Sequence, residues 1–264
     1  MSSNNVGNKI IDVKFGEKAV YLIFLDKRIK LTKSTYLKYG FYKNKELSDE
    51  EVEQIIHYDN LSKEIEKLKN SLISHPKTKS QLTLFLKKKE FSNDDIDVII
   101  DELEKSSLLN DKNYLLSIVD YLNGKNYGEK KIKDYLYKKG FENTLINELD
   151  FRYDDEFNKA KNLLPYVNKK YSKCSYSEKK RKVYQFYLIH GFNESIASKM
   201  LSFVSKNSQK DDLEIMKKEY DKIKNRFSND DLKVKEIKVE LYFLKKGYTK
   251  QQINKLKEII NNEN

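Results

Sequence analysis

Four copies of one short pattern organise everything after residue 70 of this chain. Phe85-Leu86-Lys87-Lys88-Lys89-Glu90-Phe91 aligns with Tyr135-Leu136-Tyr137-Lys138-Lys139-Gly140-Phe141. Two further copies are Phe186-Tyr187-Leu188-Ile189-His190-Gly191-Phe192 and Tyr242-Phe243-Leu244-Lys245-Lys246-Gly247-Tyr248. The turn positions 90, 140, 191 and 247 lie 50, 51 and 56 residues apart. Each copy has an aromatic residue five places before the turn and another directly after it, and Ile96, Ile146, Ile196 and Ile253 follow five or six places later. Glycine at the turn accepts the left-handed conformation that ends a helix, and the aromatic beyond it folds back towards the core. Glu90 fills the glycine place in the first copy, so a different or mildly strained turn is expected there. Ser92-Asn93-Asp94-Asp95 and Thr249-Lys250-Gln251-Gln252 supply N-caps with an acid or amide at the fourth position, where the next helix begins. About fifty residues per copy leave room for a third helix, such as 111–122. Such units stack so that each touches mainly its neighbours.

The first forty residues have a different period. Ile11, Val13 and Phe15 alternate with polar residues up to Gly16-Glu17-Lys18. Val20, Leu22 and Phe24 alternate again up to Asp26-Lys27, and Ile29 and Leu31 continue. Half-buried antiparallel strands give this pattern, with the register loosely specified at Asp26-Lys27. From Ser48 the period turns helical: Ser48 and Glu51 form a candidate capping box, with Val52, Ile55 and Ile56 as the apolar stripe. Pro76 and Pro165 are placed to open or separate helices. The expected fold is mainly α, with tandem three-helix repeats in an elongated array preceded by a small N-terminal antiparallel β module. The expected division is a β-hairpin module plus helix over 1–70, then repeats over 71–120, 121–165, 166–210 and 211–264.

Charge gives the first pointer to a partner. The 264 residues include 52 Lys+Arg and 41 Asp+Glu, a formal charge of +11. Only Arg28, Arg152, Arg181 and Arg226 are arginines, and the lysine-rich usage is what an AT-rich coding sequence would give, so location weighs more than the total. Residues 151–210 hold +8, from 13 bases and 5 acids, while the rest of the chain is nearly neutral. Lys159, Lys161, Lys169, Lys170, Lys173, Lys179, Lys180, Arg181 and Lys182 face only Glu178, with Tyr166, Tyr171 and Tyr176 interleaved. Lysines neutralise phosphates and tyrosines stack on unpaired bases, which suits a nucleic-acid surface. The competing reading is a solvated helix end in a lysine-rich protein.

Catalytic signatures are absent. Gly124 and Gly128 lack the spacing of a phosphate loop. His57, His75 and His190 are scattered, with no metal-ligand spacing to Cys174 or to one another. His190 stands where the other copies have lysine, as expected of a surface or capping residue. The acid pairs Asp94-Asp95 and Asp230-Asp231 each follow Ser-Asn and read as helix starts. No catalytic, cofactor-binding or metal-binding residue is therefore expected, and no cofactor. A lone cysteine, a polar start over residues 1–5 and no apolar run near 18 residues suggest a cytoplasmic protein that does not enter membranes.

These features together resemble the RecX family, regulators of the bacterial recombinase RecA. The most specific stretch is Leu108-Leu109-Asn110-Asp111-Lys112-Asn113-Tyr114, followed by residues 127–141 from Tyr127-Gly128 to Lys139-Gly140-Phe141. His75-Pro76-Lys77-Thr78 is similar to the family's Arg-Pro-Arg-Ser opening of the first repeat. Tyr36-Leu37-Lys38-Tyr39-Gly40 with Glu46-Leu47-Ser48 resembles the strand-rich module of long, four-repeat members. Departures are His75 and Lys77 for the arginines, Glu90 for a glycine and Leu115 for an alanine; lysine lacks the bidentate geometry of arginine. The resemblance implies a non-enzymatic regulator that binds RecA or the RecA–single-stranded DNA filament and opposes filament growth, ATPase and strand exchange. It implies roles in recombination, DNA repair and the SOS response, and action as a monomer that also touches DNA if the basic segment lies near it. The alternative is a basic helical-repeat nucleic-acid-binding protein acting without RecA.

Overall fold

A computed structural model describes residues 8–227 and 231–263. The polar start at residues 1–5 and the Ser228-Asn229-Asp230 stretch lie outside the described residues. The chain forms two compact units, Met1–Leu115 with Lys139–Phe141, and Leu116–Lys138 with Glu142–Asn264.

The first unit opens with short strands. β1 (Asn8–Lys9) pairs with β5 (Glu46–Leu47), and β2 (Asp12–Phe15), β3 (Val20–Ile23) and β4 (Arg28–Leu31) form an antiparallel meander. Val13 faces Leu22 and Leu22 faces Ile29, so the apolar sets of adjacent strands share one side. Ile10, Val20, Leu22, Phe24 and Leu31 are buried there. Ile11 and Phe15 are not: Phe15 ends an edge strand, stays 65% exposed and meets the Tyr36 ring edge-on at 5.0 Å. Strand alternation therefore holds in β3 but overstates burial in β2, which among the described residues is an edge strand of its sheet.

Two helices join this sheet to the repeats. Helix α1 (Lys33–Tyr39) is followed, after β5, by α2 (Asp49–Ser74), which starts with the expected capping box. Ser48 N–H donates to Glu51 at 2.7 Å, and Glu51 N–H donates back to Ser48 Oγ at 3.0 Å. Val52 and Ile55 are buried, whereas Ile56 is exposed and drops out of the stripe. Buried Asp59 fastens α1 to α2. It accepts from Thr32 N–H at 2.6 Å and Thr35 Oγ1 at 2.8 Å, and pairs with Lys63 at 2.6 Å. Burial pulls its carboxyl pKa up, but these donors together outweigh it and hold the group below the usual carboxylate range.

The four turns share one conformation. Glu90, Gly140, Gly191 and Gly247 have φ of 64°, 80°, 91° and 82°, so the first turn matches the others despite its glutamate. Phe91, Phe192 and Tyr248 N–H groups each reach back to the carbonyl five residues earlier, closing Schellman caps. A buried residue, Leu86, Leu136, Tyr187 or Phe243, precedes each turn one place after the aromatic that marks the repeat, and in the third copy that aromatic, Phe186, is buried as well. Ile96, Ile146, Ile196 and Ile253 are all buried beyond it, as are Phe141, Phe192 and Tyr248.

In the first unit, the first turn joins α3 (Lys79–Lys88) to α4 (Asn93–Lys105), which Ser92 caps as expected. Helix α5 (Asp111–Gly124) leads from the first unit into the second, and α6 (Glu129–Lys139) and α7 (Asn143–Asn147) flank the second turn. The second unit continues with α8 (Tyr153–Asn162), α9 (Leu164–Lys170, opened by Pro165), α10 (Tyr176–Ile189) and α11 (Glu194–Met200). It ends with α12 (Gln209–Ile223), α13 (Leu232–Lys245) and α14 (Lys250–Glu263). Thr249 caps α14 with Gln252 as its reciprocal partner. The chain is thus mainly helical with a small N-terminal antiparallel module, and among the described residues no helix is long and apolar enough to cross a membrane.

One connection recurs at every later turn. The carbonyl just before the turn accepts a hydrogen bond from the start of an earlier helix: Lys139 O from Thr78 Oγ1, His190 O from Gly128 N–H, and Lys246 O from Ser175 Oγ. In the outer two connections the capping hydroxyl, whose oxygen accepts from an N–H of its own helix, passes its proton to the turn carbonyl, and in the middle one a helix-start N–H donates directly. At the middle connection Lys130 N–H also donates to Gly191 O at 3.0 Å.

Candidate functional site

Folding sorts the basic segment into internal and external cations. Lys179 is 2% exposed; its ammonium donates to Ser205 O at 3.0 Å and Ser205 Oγ at 2.8 Å. Burial lowers its pKa, only partly countered by the nearby Cys174. Lys159 is also drawn inward, paired with buried Glu156 and donating to Asn123 Oδ1 and Tyr127 O. Lys159 thus ties α8 to the end of α5, and Lys179 ties α10 to the loop at Ser205. Lys161, Lys169, Lys170 and Lys173 are exposed, as is Arg181, and Lys180 is half-buried with its ammonium 4.8 Å from the Tyr176 ring. Lys182 pairs with Glu178 at 2.9 Å and lies 3.3 Å from Cys174 Sγ. That glutamate raises the Lys182 pKa most strongly.

Four of the ten candidates come together. Lys170, Tyr171, Arg181 and Lys182 line a groove of about 490 Å³ between α9 and α10, floored by Phe186 and His190. A second groove of about 390 Å³ runs between α6 and α10, edged by Lys130, Lys131 and Lys138, with Tyr135 and one carboxylate, Asp134. Ile189 lines both and is 69% exposed, so it forms the ridge between them. Among the described residues Lys130, Lys131, Lys138, Lys170 and Arg181 make no ion pair with a carboxylate. The outcome is a cationic surface around an exposed aliphatic side chain. The α6 lysines do not stand out in the sequence, because acids elsewhere in residues 71–150 cancel them in any count along the chain. Their spacing on one helical face, Lys130 or Lys131 with Lys138, was the available signal.

His190 closes the floor. Its ring stacks on Phe186 at 3.7 Å, and Nδ1–H donates to Phe186 O at 2.8 Å. Burial most of all, then the Lys131 and Lys170 charges, push its pKa down against the upward pull of that carbonyl. The unfolded chain, whose histidine titrates near about 6.5, binds the proton first as pH falls. Stability from neutral His190 is complete above that value and is lost as pH drops from there towards the folded value. A His190→Phe variant should therefore show a flatter decline in stability than the parent between about pH 7 and pH 5. Urea unfolding at each pH checks this, and parallel curves would rule it out.

No family model matches the chain. Curated relatives do. It is 26% identical to the regulatory protein RecX of Lactobacillus johnsonii over 243 residues, 90% of each chain. It is 26% identical to the regulatory protein RecX of Leuconostoc mesenteroides over 255 residues, 93% of this chain and 95% of that one. Among solved structures, the crystal structure of a regulatory protein RecX superposes with a TM-score of 0.63, at 20% identity, over 74% of this chain and 98% of the other. The crystal structure of RecX from Lactobacillus salivarius gives a TM-score of 0.51 at 27% identity, over 56% of this chain and 97% of that one.

Proposed function

We propose that this chain, which belongs to the RecX family, is a non-enzymatic regulator that binds the RecA recombinase or its filament on single-stranded DNA. In this reading it acts as a cytoplasmic monomer and opposes filament growth, ATPase and strand exchange. The observation that carries the reading is likeness to proteins named regulatory protein RecX along nine-tenths of both chains. The physical mechanism is linkage: a protein that binds one filament state better than another shifts the equilibrium by the difference in affinity. The test is the DNA-dependent ATPase of RecA with and without the chain. A several-fold loss of ATPase at equimolar chain is expected, and no effect at excess chain would refute the proposal.

The concentration of +8 in residues 151–210 favours a second reading, direct binding of nucleic acid without RecA. In that case the chain binds single-stranded DNA alone. If about five phosphates are neutralised, log affinity falls with log salt at a slope of roughly −3.5. DNA binding of that strength, unchanged by RecA, would favour this reading over the first.

A further inference from the structure

The two grooves meeting at Ile189 suit a peptide better than a run of unpaired bases. Unpaired bases need exposed aromatic faces for stacking. Here Phe186 is buried and one face of its ring is covered by His190, which leaves Tyr135, 40% exposed in the second groove, as one aromatic among lysines rather than a stacking platform. The most exposed feature at the centre is instead aliphatic, the 69% exposed Ile189. An aliphatic ridge between two apolar-floored depressions takes up another apolar side chain, gaining the usual free energy of burying apolar area.

The rim specifies the sign of the occupant. Lys131 and Lys138 stand on one side of the ridge, Lys170 and Arg181 on the other, and Asp134 is the single carboxylate lining either groove. Lys131 and Lys170 already rest on rings, with ammonium-to-centroid distances of 4.0 Å to Tyr127 and 5.3 Å to Phe186. Those contacts fix the side-chain stems and lower the ordering cost of meeting a carboxylate. A centre of apolar contact ringed by charge is the usual anatomy of a protein docking site.

We infer that the Ile189 ridge docks an acidic segment of the partner protein, which seats an apolar side chain against Ile189 and places carboxylates on the flanking cations of α6, α9 and α10. This rests on the reading of RecA as partner, and deepens it by naming the chemistry of the contact. The other occupants, single-stranded DNA and a second copy of this chain, are outcomes of the test.

The experiment uses the full chain with p-benzoylphenylalanine replacing Ile189, irradiated with RecA assembled on a single-stranded oligonucleotide. The expected adduct is to RecA, within a few residues of two or more carboxylates. In parallel, Ile189→Asp should raise the concentration of chain needed for half-maximal ATPase inhibition by about tenfold, as loss of a central docking residue does. Leu37→Asp, at a residue 78% exposed on α1, should leave it unchanged. Because Ile189 is exposed, the Asp variant should keep the fold, with a thermal midpoint within a few degrees of the parent's despite an acid at the end of α10. An adduct to the oligonucleotide, an adduct only to a second copy, or full inhibition by Ile189→Asp would each overturn the inference while leaving the RecA reading intact. A chain without effect on RecA ATPase would overturn that reading and the inference with it.

Discussion

Gly191→Ala should be among the most damaging single-atom additions in the second unit, lowering its stability by about 3 kcal/mol. Two costs add. At φ 91° a side chain clashes with its own backbone, which costs about 1–2 kcal/mol in the left-handed region. The new Cβ would also run into the Lys131 backbone N and Cβ, and overpacking that a backbone must absorb costs roughly 1–3 kcal/mol. The helix start cannot retreat freely, because the Gly128 N–H and Lys130 N–H bonds tie it to the turn at 2.8 and 3.0 Å. Gly128 would likewise meet the Gly191 backbone, so both sides of this connection lack room. Thermal unfolding followed by circular dichroism should show a midpoint lower by roughly 10 °C. The equivalent turn in the first repeat supplies the control. Glu90 has φ 64° but is exposed, and no earlier repeat supplies a helix start to pack against it. Glu90→Gly removes the left-handed strain and adds chain entropy, so stability should stay within about 1 kcal/mol of the parent. A Gly191→Ala protein as stable as its parent would show that the connection has slack and that the close approach is not a constraint.

Glycine placement was legible in the sequence; the reason for it was not. The repeat spacing located all four left-handed turns, and the caps at Ser48, Ser92 and Thr249 form as their motifs predict. These are local effects, decided within about five residues, so sequence carries them. Burial was less readable because it depends on what lies across the gap. Phe15 and Ile56 have apolar side chains at the right period and still face outward, while in the first two repeats the marking aromatics Phe85 and Tyr135 stay exposed and the buried place falls one residue later. The candidate surface shows the same division. Charge along the chain located the α9–α10 side of the grooves, and Lys170 and Arg181 lie there. It missed the α6 side, since Lys130, Lys131 and Lys138 are brought to it by the turn that docks on Gly128, far along the chain. Nor does a linear count distinguish Lys180, which is half-buried on a ring, from Lys179, which is spent inside the fold.

That last distinction supports the second large expected effect. Lys179→Glu should destabilise the second unit by about 4 kcal/mol, in the range for an uncompensated buried charge. The ammonium has two acceptors, Ser205 O at 3.0 Å and Ser205 Oγ at 2.8 Å, and Ser205 is itself held by donating its N–H and hydroxyl to Asn168 Oδ1 at 3.1 Å. A carboxylate there would face a carbonyl with no proton to offer. Lys179→Met keeps the stem and sheds the charge whose burial lowers the lysine pKa, and because Ser205 is exposed, water can take the place of the ammonium at its carbonyl, so the cost should be about 1 kcal/mol. Arg181→Glu, two residues along the same helix but exposed, should change stability by no more than about 0.5 kcal/mol. The order Glu worse than Met at 179, with Arg181→Glu near zero, is measurable by urea unfolding of the three variants. Equal effects for Lys179→Glu and Arg181→Glu would mean that the Lys179 ammonium is solvated and free to bind a partner. If the expected order holds, charge reversal across residues 159–182 mixes folding with binding, and only the outward cations, Lys170 and Arg181 among them, report on the surface itself.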